Sequence, residues 1–507
     1  MNTPASQPVA QPIARRADLP PAGSPPEVES YYEAHRKVYP REVKGRFSNL
    51  RNLSVWVLLG FFYVMPWIDW NGRQAILFDL PARKFYLFGL TLWPQDFIFL
   101  TWLLVIAALS LFFFTAIGGR LWCGYACPQT VWTEAFLWME RITEGDRSQR
   151  MKLDKAPWSG AKLGKKASKQ FLWVVFSAWT GFTFVGFFTP IRELAGEVMN
   201  FGLGPWETFW TLFYGVATYG NAGFLREQVC KYMCPYARFQ SAMFDRDTLI
   251  VTYDAERGEQ RGGRKKGTDY RANGLGDCTD CTLCVQVCPT GIDIRNGLQS
   301  ECIACAACID ACDAVMDKMG YPRGLVRYAT QHQLEHQKTH VLRPRILIYG
   351  ALLTLLTIGL VVAVSMRKPV ALDALHDRNT LFRNLDSGEV ENVYTLKIMN
   401  KDERAHRFVV TVEGLQGKPR DTGRADTPQA AADAGRYRLD PARPEFEVAS
   451  GEVYNAAVRV RADAWDDSGE RERDDDHGTA SVRFRIEAAD DPNIAAAAIA
   501  RFFSPEK

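Results

Sequence analysis

All twelve cysteines of the 507-residue chain fall into short, regular motifs. Eight form a doubled run: Cys278, Cys281, Cys284 and Cys288, followed by Cys302, Cys305, Cys308 and Cys312. The first half reads C-x2-C-x2-C-x3-C-P, a spacing in which three neighbouring thiolates bind one cubane cluster and the fourth crosses to a second. That logic predicts two [4Fe-4S] clusters, one on Cys278, Cys281, Cys284 and Cys312, the other on Cys302, Cys305, Cys308 and Cys288. Pro289 turns the chain away from the cluster. The second half ends Cys312-Asp313 and lacks that proline, which leaves its local turn open. A pair of four-cysteine zinc sites is the plainer alternative, but zinc ribbons use two separated C-x2-C knuckles.

The other four cysteines form two copies of C-x-Y-x-C-P, Cys123–Pro128 and Cys230–Pro235. Residues i and i+4 share one face of a helix, so each pair can aim two sulfurs at one point, with the proline ending the helix there. Two thiolates do not complete a cubane. They suit a soft ion such as Cu(I), and thiolates also pass electrons through a transient disulfide. Met233 is a candidate soft thioether, with packing as its ordinary role. Small buried residues at helix ends are the plain alternative for these cysteines. It accounts poorly for two copies with the same central tyrosine and the same proline.

The elements that position these thiols are read from hydropathy. A net charge of +3 and 23% charged residues would suit a soluble chain, yet the 47% hydrophobic and 12% aromatic residues are concentrated in long runs. Five segments, near 53–68, 97–117, 171–188, 206–225 and 346–366, approach the roughly 20 apolar residues needed to span a bilayer. The fourth is interrupted by Tyr214, Thr218, Tyr219 and Asn221, and a buried soluble helix is its alternative. No secretory signal is evident, and the Pro/Ala-rich start reads as a disordered tail.

Loop charge sets the orientation, because cytoplasmic loops keep their Lys and Arg. Arg36, Lys37, Arg41, Lys44, Arg46 and Arg51 precede the first segment, and nine basic residues from Arg141 to Lys169 separate the second and third. Only Arg192 lies between the third and fourth. Five crossings with a cytoplasmic N-terminus follow. The chain then divides into a tail (1–40), a four-helix membrane domain carrying both short motifs (41–230), a cytoplasmic ferredoxin domain (231–345), a fifth transmembrane helix (346–366) and an exported domain (367–507). All twelve cysteines fall on the reducing side, where structural disulfides are rare. Helix pairs one–two and three–four end in the same motif, predicting a pseudo-symmetric duplication that brings the two pairs together.

His332, His336 and His340 fall at i, i+4 and i+8. On a helix they would make a stripe able to bind copper or haem; a solvated juxtamembrane face is the alternative. Beyond Met366 the pattern turns to β, with strands expected at Glu391–Met399, His406–Val412, Val453–Val460 and Ala480–Ile486. Short strands between turn-rich segments predict a β-sandwich of immunoglobulin type, with a docking role by default. The acidic stretch Asp474–Asp476 reads as a solvated loop.

The order GRLWCGYACPQT, REQVCKYMCPYARFQ and GDCTDCTLCVQVCPTGIDIRNGLQSECIACAACIDACD, then one helix and a β-domain, resembles the cytochrome c oxidase accessory proteins of CcoG, FixG or RdxA type. The resemblance runs from about residue 40 to near the end. It implies a double-cluster ferredoxin of the bacterial inner membrane with a periplasmic immunoglobulin-like domain. It further implies reduction of Cu(II) to Cu(I) for the copper centre of a cbb-type oxidase. By that match Cys123, Cys127, Cys230 and Cys234 are the copper-interacting pairs and the eight ferredoxin cysteines hold the clusters.

Phosphate loops, dinucleotide fingerprints and hydrolytic triads are not evident, so a cytoplasmic protein or a quinol is the expected electron donor. Expected partners are copper, a copper transporter or chaperone, the oxidase assembly machinery, membrane lipid and a second copy of the chain, with no nucleic acid. Two other classes stay open: a quinol-linked respiratory ferredoxin subunit, and a non-catalytic assembly scaffold.

Overall fold

A computed structural model describes residues 37–402, 404–415, 437–463 and 479–504. The expected tail lies outside these residues up to position 36, as do Asp474–Asp476. The longer helices are α1 (Arg46–Val64), α2 (Phe97–Gly118), α3 (Pro128–Glu144), α4 (Gly160–Val185), α5 (Pro205–Thr218), α6 (Ala307–Met319) and α7 (Pro344–Ser365). The five apolar segments fall on α1, α2, α4, α5 and α7. Two of these, α2 and α7, are long and apolar enough to cross a membrane. Charge shortens the apolar run elsewhere: α1 starts with Arg46 and Arg51, and α4 starts with the lysines from Lys162 to Lys169.

Helix α5 stops at Thr218, where the interruption in the sequence begins, and continues as a π-helix over Tyr219–Leu225. Arg226 ends that segment at φ +38°, a strained value for a side chain. Helices α4 and α5 cross closely. A Cβ at Gly181 would lie 2.2 Å from the carbonyl oxygen of Thr211, so only glycine fits this approach.

The halves bearing the short motifs repeat a local plan. After α2 comes a short helix, Leu121–Tyr125, then Cys127 and α3; after α5 comes a π-turn, Val229–Met233, then Cys234 and the helix Pro235–Ala242. Each proline begins the following helix at its first position, where the missing N–H is harmless. A buried ion network ties the halves together. Glu140 of α3 pairs with Arg150 at 2.6 Å, Arg226 at 2.8 Å and Lys169 at 3.8 Å, and Glu144 pairs with Lys169 at 3.1 Å.

Residues 69–96, between the first two apolar segments, include a small three-stranded sheet, Ile76–Asp79, Lys84–Leu87 and Leu90–Leu92. Asp96 closes this segment. Its carboxylate accepts from Arg367 at 2.8 Å and Lys401 at 3.2 Å, latching the C-terminal domain to the start of α2.

That domain is a sandwich. One sheet has the order β4-β6-β2-β1, built from Tyr437–Asp440, Val453–Asp463, Glu389–Asn400 and Val370–His376. The facing sheet has the order β5-β3-β7-β8, built from Glu445–Val448, His406–Leu415, Thr479–Ala488 and Ala495–Phe503. Tyr394, Leu396, Ile398, Phe408, Val410, Phe484 and Phe502 fill the space between them. The four expected strands lie in β2, β3, β6 and β7. Strand β8 escaped because its run of alanines favours helix intrinsically; pairing with β7 overrides that preference.

Candidate functional site

Two antiparallel strands, Ile250–Tyr253 and Val326–Ala329, and two helices, Leu283–Gln286 and α6, frame the eight-cysteine domain. The two cysteine runs adopt matching loops. Asp280 and Thr282 have φ of +53° and +56°, and the equivalent Ala304 and Ala306 have +52° and +60°. Paired left-handed residues in such short loops turn backbone N–H groups toward the enclosed space, a concavity that favours anions.

Each loop borders a cavity. The first is lined by Cys278, Cys281, Cys284 and Cys312. The second is lined by Cys288, Cys302, Cys305 and Cys308, with Cys284 also reaching its wall. The fourth cysteine of each run thus lines the other run's cavity, as the crossed spacing requires. Among the described residues no three His, Cys, Asp or Glu side chains converge on one point as a single metal ion needs. The crossed lining of the two cavities is the arrangement that a double-cluster ligand pattern calls for. Burial pushes the Cys284 thiol up to about 11 and those of Cys302 and Cys312 up to about 12, so bound metal has to displace their protons.

The missing proline after Cys312 has a structural reason. Cys312 lies within α6, which a proline at the next position would break. Asp313 instead accepts from the backbone N–H of Gly324 at 2.9 Å. Cys288 follows the end of its short helix, where Pro289 does no harm.

The two C-x-Y-x-C-P motifs come together against the second cavity. Cys123 and Cys230 pack on the buried group of Val287, Ile303, Cys305, Ala307 and Ala311. A Cβ at Gly124 would lie 2.8 Å from the Ile303 carbonyl oxygen and 3.0 Å from that of Ala304, so this glycine lets the first motif lie on the cysteine loop. Burial, with the other motif cysteines adding to it, pushes the Cys123 thiol up to about 12 and that of Cys230 up to about 11. The Cys123 thiol meets Gln240 Oε1 at 3.2 Å. No three of the four sulfurs gather at one point.

Three expectations need correction. Cys127 and Cys234 do not sit inside their helices; both are extended residues that cap the helix after them. Met233 is 59% exposed and so has no packing role. The histidines do not form a helical stripe, because the helix covers only Gln331–Leu334 and His336 is left-handed at φ +56°. His332 and the backbone N–H of His340 both bind Asp247, and His336 binds Glu256.

Several residues beside the cysteines gave no motif signal. Arg120 hydrogen-bonds the carbonyls of Ser300, Cys302 and Ala237, joining the end of α2 to the second cysteine loop. Tyr328 donates to the Ala304 carbonyl at 2.7 Å. Arg51 is buried beside Cys305 and Glu134. Arg120 precedes Cys123 by three residues and was within reach of a local reading, whereas Arg51 is remote in sequence from Cys305.

Comparisons with known proteins agree with this layout. Residues 225–331 match a family described as a 4Fe-4S dicluster domain, 100–144 one described as a 4Fe-4S binding domain, and 360–505 an Ig-like fold at the C-terminal of FixG. The chain is 38% identical to the nitrogen fixation protein FixG of Rhizobium meliloti over 421 residues, covering 76% of this chain and 80% of the relative. It is 40% identical to protein RdxB of Cereibacter sphaeroides over 400 residues (76% and 84%) and 38% identical to RdxA of that organism over 461 residues (87% and 96%).

Proposed function

The chain belongs to the FixG/RdxA family of iron–sulfur redox proteins, and from that premise we propose that it is a membrane-bound cupric reductase serving assembly of the copper centre of a cbb-type cytochrome c oxidase. The observation that carries the reading is the packing of Cys123 and Cys230 on the same buried group as Cys305 and Cys308. The thiols that can meet copper adjoin the residues that would hold the second cluster.

When bound by Cys278, Cys281, Cys284 and Cys312 and by Cys302, Cys305, Cys308 and Cys288, the two [4Fe-4S] clusters supply one-electron storage. The chain's own residues do the rest. Cys281 is exposed and marks the side open to a donor, whereas Cys305 is buried on the side facing the motifs. Cys123, Cys127, Cys230 and Cys234 give up protons to bind Cu(II), which takes one electron and becomes Cu(I), the ion that thiolates prefer. Exposed Met233 offers a soft thioether through which a transporter or chaperone takes the product. A soluble protein or a quinol supplies the electrons.

Five membrane crossings belong to this proposal. Support comes from large apolar side chains turned outward on the three helices that fall short by length or composition: Trp56 and Phe61 on α1, Val175 and Trp179 on α4, and Trp206 and Val216 on α5, each at least 43% exposed. Buried soluble helices would hide such residues. The cysteines then lie on the cytoplasmic side of the inner membrane and the β-sandwich on the periplasmic side, where it docks on the oxidase.

A second reading follows from the 4Fe-4S description of residues 100–144, which contain Cys123 and Cys127: the four motif cysteines together hold iron instead of meeting copper. One experiment separates the two. Purified protein is reduced without oxygen, and cluster reoxidation by Cu(II) is followed in wild type and in the variant with Cys123, Cys127, Cys230 and Cys234 all changed to serine. The reductase reading expects fast reoxidation, lost in the variant with iron content unchanged. Absence of copper-dependent reoxidation sinks it, and loss of a third cluster's worth of iron establishes the second reading.

A further inference from the structure

Each cluster cavity has an arginine close to it, part-buried Arg295 by the first and buried Arg51 by the second, and the two are neutralised to different degrees. Arg295 lines the first cavity beside Cys284. Asp280 at 2.5 Å and Asp293 at 2.6 Å hold its guanidinium, and Asp313 adds a negative charge beside Cys312. Asp280, Asp293 and Asp313 outnumber Arg295 there; Arg264 reaches the Cys278 carbonyl at 3.4 Å, and Arg261 is paired with Glu259.

Beside the second cavity the balance is reversed. Arg51 shares one pocket lining with Cys230 and Ile303, and Arg120 donates to the Cys302 carbonyl at 3.3 Å. Arg120 is bound to carbonyls, and Arg51 is answered by Glu134, which is 3.7 Å away and closer to Arg141, at 2.6 Å, with Glu227 bordering the same space. Arg51 is 8% exposed, and its Nε is buried without a hydrogen-bond partner. Sulfur atoms in the adjoining cavity would supply an acceptor.

The position of Arg51 is fixed by the ferredoxin domain itself. The Asp310 carboxylate accepts from the backbone N–H groups of Ser48 at 2.7 Å and Phe47 at 3.3 Å, holding the first turn of α1. That carboxylate therefore answers the positive end of a helix. About one turn later α1 delivers Arg51 to the cysteine loop.

Added electrons are favoured where nearby fixed charge is positive, and a buried site screens that charge least. We propose that Arg51 is a positioning residue for electrons: its guanidinium raises the reduction potential of the second cluster site above that of the first, so that electrons settle beside Cys123 and Cys230. The proposal rests on the cluster assignment above and is independent of copper.

The test is a reductive titration of the full chain in detergent, followed by electron paramagnetic resonance. Two midpoints are expected in wild type. Arg51→Gln lowers the higher midpoint and narrows the gap, Arg51→Lys restores most of it, and Arg295→Gln lowers the other midpoint. Both midpoints unmoved in Arg51→Gln, or the lower one moving instead, overturns the proposal. Should Arg51→Gln fail to fold because Glu134 keeps only Arg141 as its partner, the double variant Arg51→Gln/Glu134→Gln removes that burden and Arg51→Lys keeps the charge. The double variant must also narrow the gap. Iron and sulfide assays distinguish the two failures. Full loading with unmoved midpoints defeats the role of Arg51 alone, whereas a wild-type chain lacking two clusters' worth of iron defeats the assignment beneath it.

Discussion

The two C-x-Y-x-C-P motifs share a pattern and differ in what surrounds them. In the first, Gly124 is buried and lies on the Ile303 and Ala304 carbonyls, and Tyr125 is partly buried. In the second, the equivalent of Gly124 is Lys231, and Tyr232 and Met233 are 63% and 59% exposed. The first is built on a regular short helix, the second on a π-turn that follows strained Arg226. Identical spacing therefore fixes where two sulfurs go but not what lies around them. The first motif is shaped to dock on the cysteine loop, and the second to present a soft surface.

The sharpest way to break this comparison is to cut what holds the halves together. Glu140→Gln leaves Arg150, Lys169 and Arg226 facing a neutral side chain. Removing one partner from a buried charge group costs about 3–5 kcal/mol, expected as a large fall in thermal midpoint in detergent. An unchanged midpoint would mean that this network does not join the halves.

The next largest difference should separate Gly124 from Lys231. Gly124→Ala forces a Cβ against backbone carbonyls, an overpacking that costs about 1–3 kcal/mol. Lys231→Ala stays within about 0.5 kcal/mol, as surface changes do. Equal effects in denaturant unfolding would erase the distinction between docked and presented motifs.

Function should divide along the same line. Changing Cys123 and Cys127 to serine slows Cu(II)-driven reoxidation by at least about tenfold, which corresponds to about 1.4 kcal/mol of barrier. Met233→Ala leaves that rate and the stability nearly unchanged but weakens retention of Cu(I), read by competition with a Cu(I) chelator. If the methionine change slows reduction as much as the cysteine change does, the two motifs are not specialised.

The smallest effect lies in the β-sandwich. Burial disfavours charge on His406, but its hydrogen bonds to Asp402 at 2.8 Å and Asp490 at 2.7 Å outweigh that and hold its pKa above the ordinary value. A raised folded pKa adds stability that is fully present below the unfolded value, about 6.5. That stability is lost as pH rises through the folded value. Hydrogen exchange in β3 should accordingly speed up on raising pH across that window, after correction for intrinsic chemistry, and His406→Gln should flatten the response.

How much of this was legible in the sequence depended on the range of the contacts. The spacing of the eight cysteines is a local signal, and Cys312 and Cys288 line the cavities that the spacing assigns; which cysteines bind which cluster belongs to the proposal. The apolar segments and four strands were readable for the same reason. The histidine stripe failed because Asp247 and Glu256, distant in sequence, decide where the rings go. The loop charges have a second role that composition does not show. Arg51, Arg150 and Lys169, basic residues beside the apolar segments, are buried and paired with glutamates. A basic residue near a membrane end can hold the fold together as well as mark a side.

Asp96 gives the longest reach to a single side chain. It locks Arg367 and Lys401 of the sandwich at the start of α2, and Arg120, just past the other end of α2, grips the carbonyls of the second cysteine loop. The intervening 22 residues make a strut of about 33 Å at the usual helical rise. A protein that seizes the sandwich thereby takes hold of a handle keyed to the thiols at the far end, and meets them on a fixed bearing.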